Sequence, residues 1–195
     1  DLSLIFNKEK GIQLISHKFS NENQILEINF KNKKYKFTLN LIGKIQIKNI
    51  LMTILAAYKS GLKFKKIIDV IHKIKPVEGR LEKIGEIKNN SRVILDYAHT
   101  PAALELALTN IKEQFPKRKI RLVFGCGGER DFKKRIIMGR IAAKYSHQIY
   151  LTDDNPRNEN PDKIRGEISK FILKNKSFNI GNRYLAIKKA IYNAS

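Results

Sequence analysis

The sequence predicts an α/β fold, a doubly wound and mainly parallel sheet in its larger C-terminal part, preceded by a smaller β/α unit. Three observations carry that expectation. Beyond about residue 80, short strand-like runs alternate with helical patterns. Those runs are almost wholly apolar, as strands of a parallel sheet covered on both faces must be. Before about residue 75 the order differs: runs suited to antiparallel pairing come first and a pair of helices follows.

Taken in order, Leu2 to Phe6, Gly11 to His17 and Gln24 to Phe30 are short runs with β-branched residues. Lys31 to Lys34 reads as a polar turn into Tyr35 to Leu41, where Tyr35, Phe37 and Leu39 share one face at period two. After Gly43 the period changes. Ile47, Ile50, Leu51, Ile54 and Leu55 recur at helical spacing until Gly61, and a second helix over Phe64 to Ile74 buries Ile67, Ile68 and Ile71. Pro76 and Gly79 interrupt this pattern. The 195 residues allow one large or two small domains, and the change of pattern divides them into residues 1–77 and 78–195.

The second part begins with a strand-like run, Leu81 to Ile87. Strands at Arg92 to Leu95, Lys119 to Phe124, Gln148 to Leu151 and Phe178 to Ile180 then alternate with helices at Ala102 to Glu113, Lys134 to Tyr145, Asp162 to Leu173 and Tyr184 to Tyr192. Thr100 and Pro101 suit the N-cap and first turn of the first of these helices.

Lys and Arg total 39 against 18 Asp and Glu, a net charge of +21. The basic residues are spread along the whole chain, and no RNP-type aromatic motif, zinc spacing or basic helix accompanies them. A general affinity for phosphorylated substrates fits better than nucleic acid, although a basic nucleic-acid-binding module is the reading from a different functional class. No apolar run is long enough to span a bilayer and no signal peptide opens the chain, so no membrane partner is expected. The single cysteine, Cys126, excludes an intramolecular disulfide and fits a cytoplasmic setting. A first residue of Asp1 and a last segment in mid-helix pattern suggest a fragment.

Ligands of such sheets bind beyond the carboxyl ends of the strands. Three of these ends carry unusual clusters: Asp96-Tyr-Ala-His-Thr-Pro101, Gly125-Cys-Gly-Gly-Glu-Arg-Asp131 and Thr152-Asp-Asp-Asn-Pro-Arg157. In the second cluster, glycines lie between a strand and a helix N-terminus, where unpaired N–H groups favour anions. The three are expected to line one crevice. Carboxylates beside arginines there suit a magnesium nucleotide or a zwitterionic substrate. The plainer reading of each cluster is a helix-capping turn, and of Arg157 a surface pair with Glu159.

Together with Gly79-Arg80 and Lys134-Arg135, these clusters resemble the C-terminal domain of the Mur ligases, from about residue 40 to the end. The likeness is greatest to the branch that adds the third stem-peptide residue of peptidoglycan. It implies that residues 1–77 are the end of a central ATP-binding domain and 78–195 an amino-acid-binding domain. It also implies ATP-dependent amide ligation with Mg²⁺, in which a UDP-N-acetylmuramoyl dipeptide carboxylate is activated as an acyl-phosphate. The amine of meso-diaminopimelate then displaces phosphate. By the same resemblance, Asp154, Asn155, Pro156 and Arg157, joined by Arg130, recognise meso-diaminopimelate. Asn49, Arg80, Asp96, His99, Lys134 and Arg135 lie on the nucleotide and phosphate side, with Arg80 at the hinge. Lysine-adding relatives are expected to lack the arginine at the position of Arg157, and a folylpolyglutamate-type ligase is the other alternative. The family's phosphate-binding loop and metal-associated lysine have no counterpart in these residues. The main catalytic elements are therefore expected upstream of Asp1, in a cytoplasmic, monomeric enzyme.

Overall fold

The computed structural model describes residues 11–129 and 131–194, so the strand expected at Leu2 to Phe6 lies outside the described residues. The chain divides into two compact units, Asp1–Glu82 with Glu113–Phe115, and Lys83–Lys112 with Pro116–Ser195.

In the first unit, β1 (Gln13–Ser20), β2 (Asn23–Phe30) and β3 (Lys33–Leu39) form an antiparallel sheet in that order. Strand β3 begins at Lys33, earlier than the sequence pattern suggests. Lys31 and Asn32 both take the left-handed conformation (φ 49° and 61°), so two residues suffice for the hairpin and Lys33 pairs with Phe30. The apolar face, Leu26, Ile28, Phe30, Phe37 and Leu39, is buried against α1 (Ile45–Lys59), which contributes Ile47, Ile50, Leu51 and Ile54 at helical spacing. Each such side chain contributes about 1.5–3 kcal/mol on burial, which outweighs the weak helix propensity of the isoleucines.

The next helix, α2 (Phe64–Val70), is shorter than its periodicity suggests. It tightens into a 3-10 turn at Ile71–Lys73, and Ile74 is already extended (ψ 126°), one residue ahead of Lys75, where Pro76 disfavours helical geometry. A buried polar hub completes the unit. Gln24 Nε2 donates to the carbonyls of Leu41 (2.7 Å) and Gly43 (3.1 Å), and Gly43 N–H donates to Gln114 Oε1 (2.8 Å).

The second unit has the strand–helix alternation that its sequence predicts: β4 (Glu82–Ile87), β5 (Ser91–Leu95), α3 (Pro101–Gln114), β6 (Arg121–Phe124), α4 (Lys133–Tyr145), β7 (Gln148–Leu151), α5 (Pro161–Ser169), β8 (Ser177–Asn179) and α6 (Arg183–Tyr192). Strands β6, β7 and β8 are parallel, with Phe124 opposite Leu151 and Leu151 opposite Asn179. Leu104 and Leu108 of α3, Met138, Ile141 and Ala142 of α4, and Ile164 and Ile168 of α5 bury Phe124, Ile149 and Leu151; Ala186 and Ala190 of α6 pack with Tyr150. The fold class is therefore α/β. One expectation needs correction: among the described residues, β5 is joined to β4 in a two-stranded sheet and is not a strand of the three-stranded parallel sheet. Strand partnering depends on contacts remote in sequence, which local patterning does not encode.

Candidate functional site

Parallel register brings the ends of β6, β7 and β8 to one edge. Thr152 N–H donates to Phe124 O (3.1 Å), Asp153 N–H to Gly181 O (3.0 Å) and Ile180 N–H to Leu151 O (2.9 Å). The glycine loop after β6, the Asp154-Asn-Pro-Arg157 loop after β7 and the Gly181–Arg183 turn after β8 thus emerge side by side. The third of these was not singled out from the sequence.

The glycines serve close approach between loops. A Cβ on Gly125 would lie 2.1 Å from Thr152 O, and one on Gly128 would lie 1.9 Å from Pro156 O. Gly128 N–H donates to Asn155 O (3.1 Å), and Arg157 Nη1 donates back to Gly128 O. Asn155 and Arg157 both have positive φ, 38° and 52°, a conformation disfavoured for side-chain-bearing residues that is held here by these cross-loop bonds. Asp154, Asn155 and Arg157 are exposed, and Arg183 Nη2 lies 3.7 Å from Asp154 Oδ1 while donating to Asp153 O (2.9 Å). Arg130 lies outside the described residues.

The cluster after β5 adjoins the glycine loop through packing. Asp96 Oδ1 accepts from Ala98 N–H (2.9 Å), Ala98 packs on the core that holds Cys126, and His99 O accepts from Lys134 Nζ (3.3 Å) at the start of α4. His99 stands edge-on to Tyr97, with ring centroids 5.4 Å apart. Thr100 Oγ1 accepts from Ala103 N–H (3.3 Å), the N-cap that the sequence suggests. Asn49 and Arg80 are exposed residues of the other unit; Asn49 Nδ2 donates to Gln46 Oε1 (3.2 Å).

Arg135 requires a correction. The sequence places it on the phosphate side, yet its side chain is 0 % exposed and held by two carboxylates. Nη1 donates to Glu159 Oε2 (2.9 Å) and Glu167 Oε2 (2.8 Å), and Nη2 donates to Glu159 Oε1 (2.8 Å) and Gly127 O (3.2 Å). Glu159 Oε1 also accepts the Glu129 N–H. The sequence reading missed this pair, although Arg135 lies on the same helical face as buried Met138, Gly139 and Ala142.

The Arg135 guanidinium, followed by the Glu129 N–H, holds the Glu159 carboxyl down at about 2. A carboxyl whose folded value is depressed adds stability that is complete above its unfolded value near 4.5 and is lost as pH falls towards 2. Glu159→Gln is therefore expected to destabilise the protein more at pH 6 than at pH 3, as measured by urea midpoints. Equal losses at the two pH values would show that Arg135 does not hold that carboxylate.

Comparison with known proteins assigns the class that this edge defines. The family model described as "Mur ligase, glutamate ligase domain" matches residues 79–195, and the chain belongs to the Mur ligase family. A protein of Rickettsia montanensis named UDP-N-acetylmuramoyl-L-alanyl-D-glutamate--2,6-diaminopimelate ligase is 41 % identical over 187 residues, 95 % of this chain and 38 % of that protein. One of the same name from Buchnera aphidicola is 44 % identical over 155 residues, 79 % of this chain and 30 % of that protein. A solved structure with this name superposes with a TM-score of 0.69 at 26 % identity, covering 94 % of this chain and 37 % of that one. Folylpolyglutamate synthase of Mycobacterium tuberculosis, at 17 % identity, shares the fold (TM-score 0.74, 95 % of this chain and 41 % of that one). The chain thus spans between about a third and two fifths of the length of the first relatives.

Proposed function

We propose that the full-length protein is an ATP-dependent ligase that adds meso-diaminopimelate to UDP-N-acetylmuramoyl-L-alanyl-D-glutamate in peptidoglycan synthesis. The chief support is the Asp154-Asn-Pro-Arg157 loop, seated on the glycine loop with the Arg157 guanidinium at the sheet edge. Diaminopimelate is lysine with a further carboxylate at its far end, and a guanidinium fork suits a carboxylate. Asp154 and Asn155 are assigned to the ammonium beside it. The relatives' names agree with this substrate.

ATP, bound with Mg²⁺, supplies the phosphoryl group that activates the dipeptide carboxylate. Among the described residues no three His, Cys, Asp or Glu side chains gather as a metal site, so no step is assigned here through a metal ligand of this chain. Asp96, His99 and Lys134 are assigned to the nucleotide side of the second unit, and Asn49 and Arg80 to that side of the first. Among the described residues no helix is long and apolar enough to cross a membrane, and the proposed setting is a monomer in the cytoplasm, where nucleotide substrates are made.

The full-length protein is expected to form tripeptide product from the UDP-linked dipeptide, ATP, Mg²⁺ and meso-diaminopimelate, with lysine a poor replacement. Preference for lysine, or for glutamate on a folate, would assign it to another branch. A salt-dependent shift of random DNA without ligation would favour a nucleic-acid role for the +21 charge.

A further inference from the structure

We propose that Arg135 is a positioning residue: through Glu159 and Gly127 it sets the distance between the glycine loop and the Asp154–Arg157 loop. The inference rests on the substrate reading above, since it concerns how that site keeps its shape.

Arg135 projects from the first turn of α4, and its fork grips both loops. On one side it binds Gly127 O (3.2 Å); on the other it binds both oxygens of Glu159, two residues beyond Arg157. Glu159 closes the circuit by accepting the Glu129 N–H, so the loop residues on either side of Gly128 are tied to the far loop. Asn158 Nδ2 adds a bond to Glu129 Oε1 (2.8 Å). Glu167 on α5 holds the guanidinium from behind (2.8 Å), and the Phe132 ring lies 4.6 Å from its central carbon.

Stability alone is a poor reason for this arrangement. A buried ion pair recovers little net energy over an apolar replacement of the same volume, because desolvation offsets the attraction. What it does supply is directional geometry. A planar fork fixes two carboxylates and a carbonyl at set angles, which a lysine ammonium cannot reproduce. The loops so joined carry every residue assigned above to diaminopimelate. A shift of about 1 Å in such a site is enough to weaken substrate placement without touching the substrate.

The test uses the full-length enzyme, with wild-type amino-acid choice measured first. If the wild type prefers another amino acid, the substrate reading falls, and the inference is tested with the preferred one. Arg135→Lys and Glu159→Gln are each expected to raise the KM for the amino acid about tenfold. The KM for ATP should stay within twofold and kcat at saturating amino acid within threefold. The double variant should be little worse than either single one, since both break the same tie. A role in stability alone would lower the melting temperature and leave the amino-acid KM within twofold, which would overturn the proposal. A parallel rise in the KM for ATP would return Arg135 to the phosphate side. Failure of both variants to fold would make the pair a fold determinant, and the proposal would be withdrawn.

Discussion

Replacing Arg157 with alanine in the full-length enzyme is expected to raise the KM for meso-diaminopimelate at least tenfold and to narrow its preference over lysine, with little change in the KM for ATP. Arg157 stands six residues beyond the end of β7 in a left-handed conformation (φ 52°), and its Nη1 donates to Gly128 O. Its remaining donors meet no partner among the described residues, so the fork can accept a carboxylate while anchored to the glycine loop. Arg157 is exposed, and a guanidinium–carboxylate contact that the bound substrate itself shields from water contributes on the order of 2–4 kcal/mol after desolvation, against under about 1 kcal/mol for a pair left in solvent. At about 1.4 kcal/mol per factor of ten, the lower bound already exceeds tenfold. Glu159, the surface partner that Arg157 would have on the plainer reading, is bound to Arg135 instead. An unchanged diaminopimelate KM would leave Arg157 as a tie between loops and nothing more.

Gly128→Ala is expected to lower stability by about 2–3 kcal/mol, the upper part of the usual range for overpacking. In a chain of this size that corresponds to a melting temperature lower by about 5–10 °C. The added Cβ would lie 1.9 Å from the oxygen and 2.6 Å from the carbon of Pro156, and both are backbone atoms that cannot rotate away. Relief requires the two loops to part, which breaks the Gly128–Asn155 bond (3.1 Å) and moves the Arg157 anchor. Folded Gly128→Ala enzyme should therefore also bind diaminopimelate poorly. Gly166→Ala is the control: nothing lies within 4 Å of its Cβ position inside α5, and alanine there should stabilise by about 0.5–1 kcal/mol. Wild-type stability and diaminopimelate KM in Gly128→Ala would mean that the loops are not in contact in solution.

The candidate site was legible to different depths at different residues. The Asp154–Arg157 motif and the glycine run stand out in the sequence because both break an apolar strand abruptly. Why glycine is needed was not legible: an anion-binding loop was expected, whereas Gly125 and Gly128 make room for the backbone of Thr152 and Pro156. Arg183, beside Asp153 and Asp154, carries no local signal that distinguishes it from other basic residues on the last helix.

By itself the sequence determined the order and type of the elements, since apolar period and glycine or proline breaks are local properties of the chain. It also set the expectation that loops after parallel strands share an edge, which holds for β6, β7 and β8. Only the tertiary structure decided which strands pair, leaving β5 with β4, and which way Arg135 turns. A Lys134-Arg135 pair at a helix start reads as two phosphate ligands. Yet Arg135 lies on the buried helical face, and its carboxylate partners stand 24 and 32 residues further along the chain. Contacts at that separation carry no periodic signature, and only folding brings a buried charge to the groups that neutralise it.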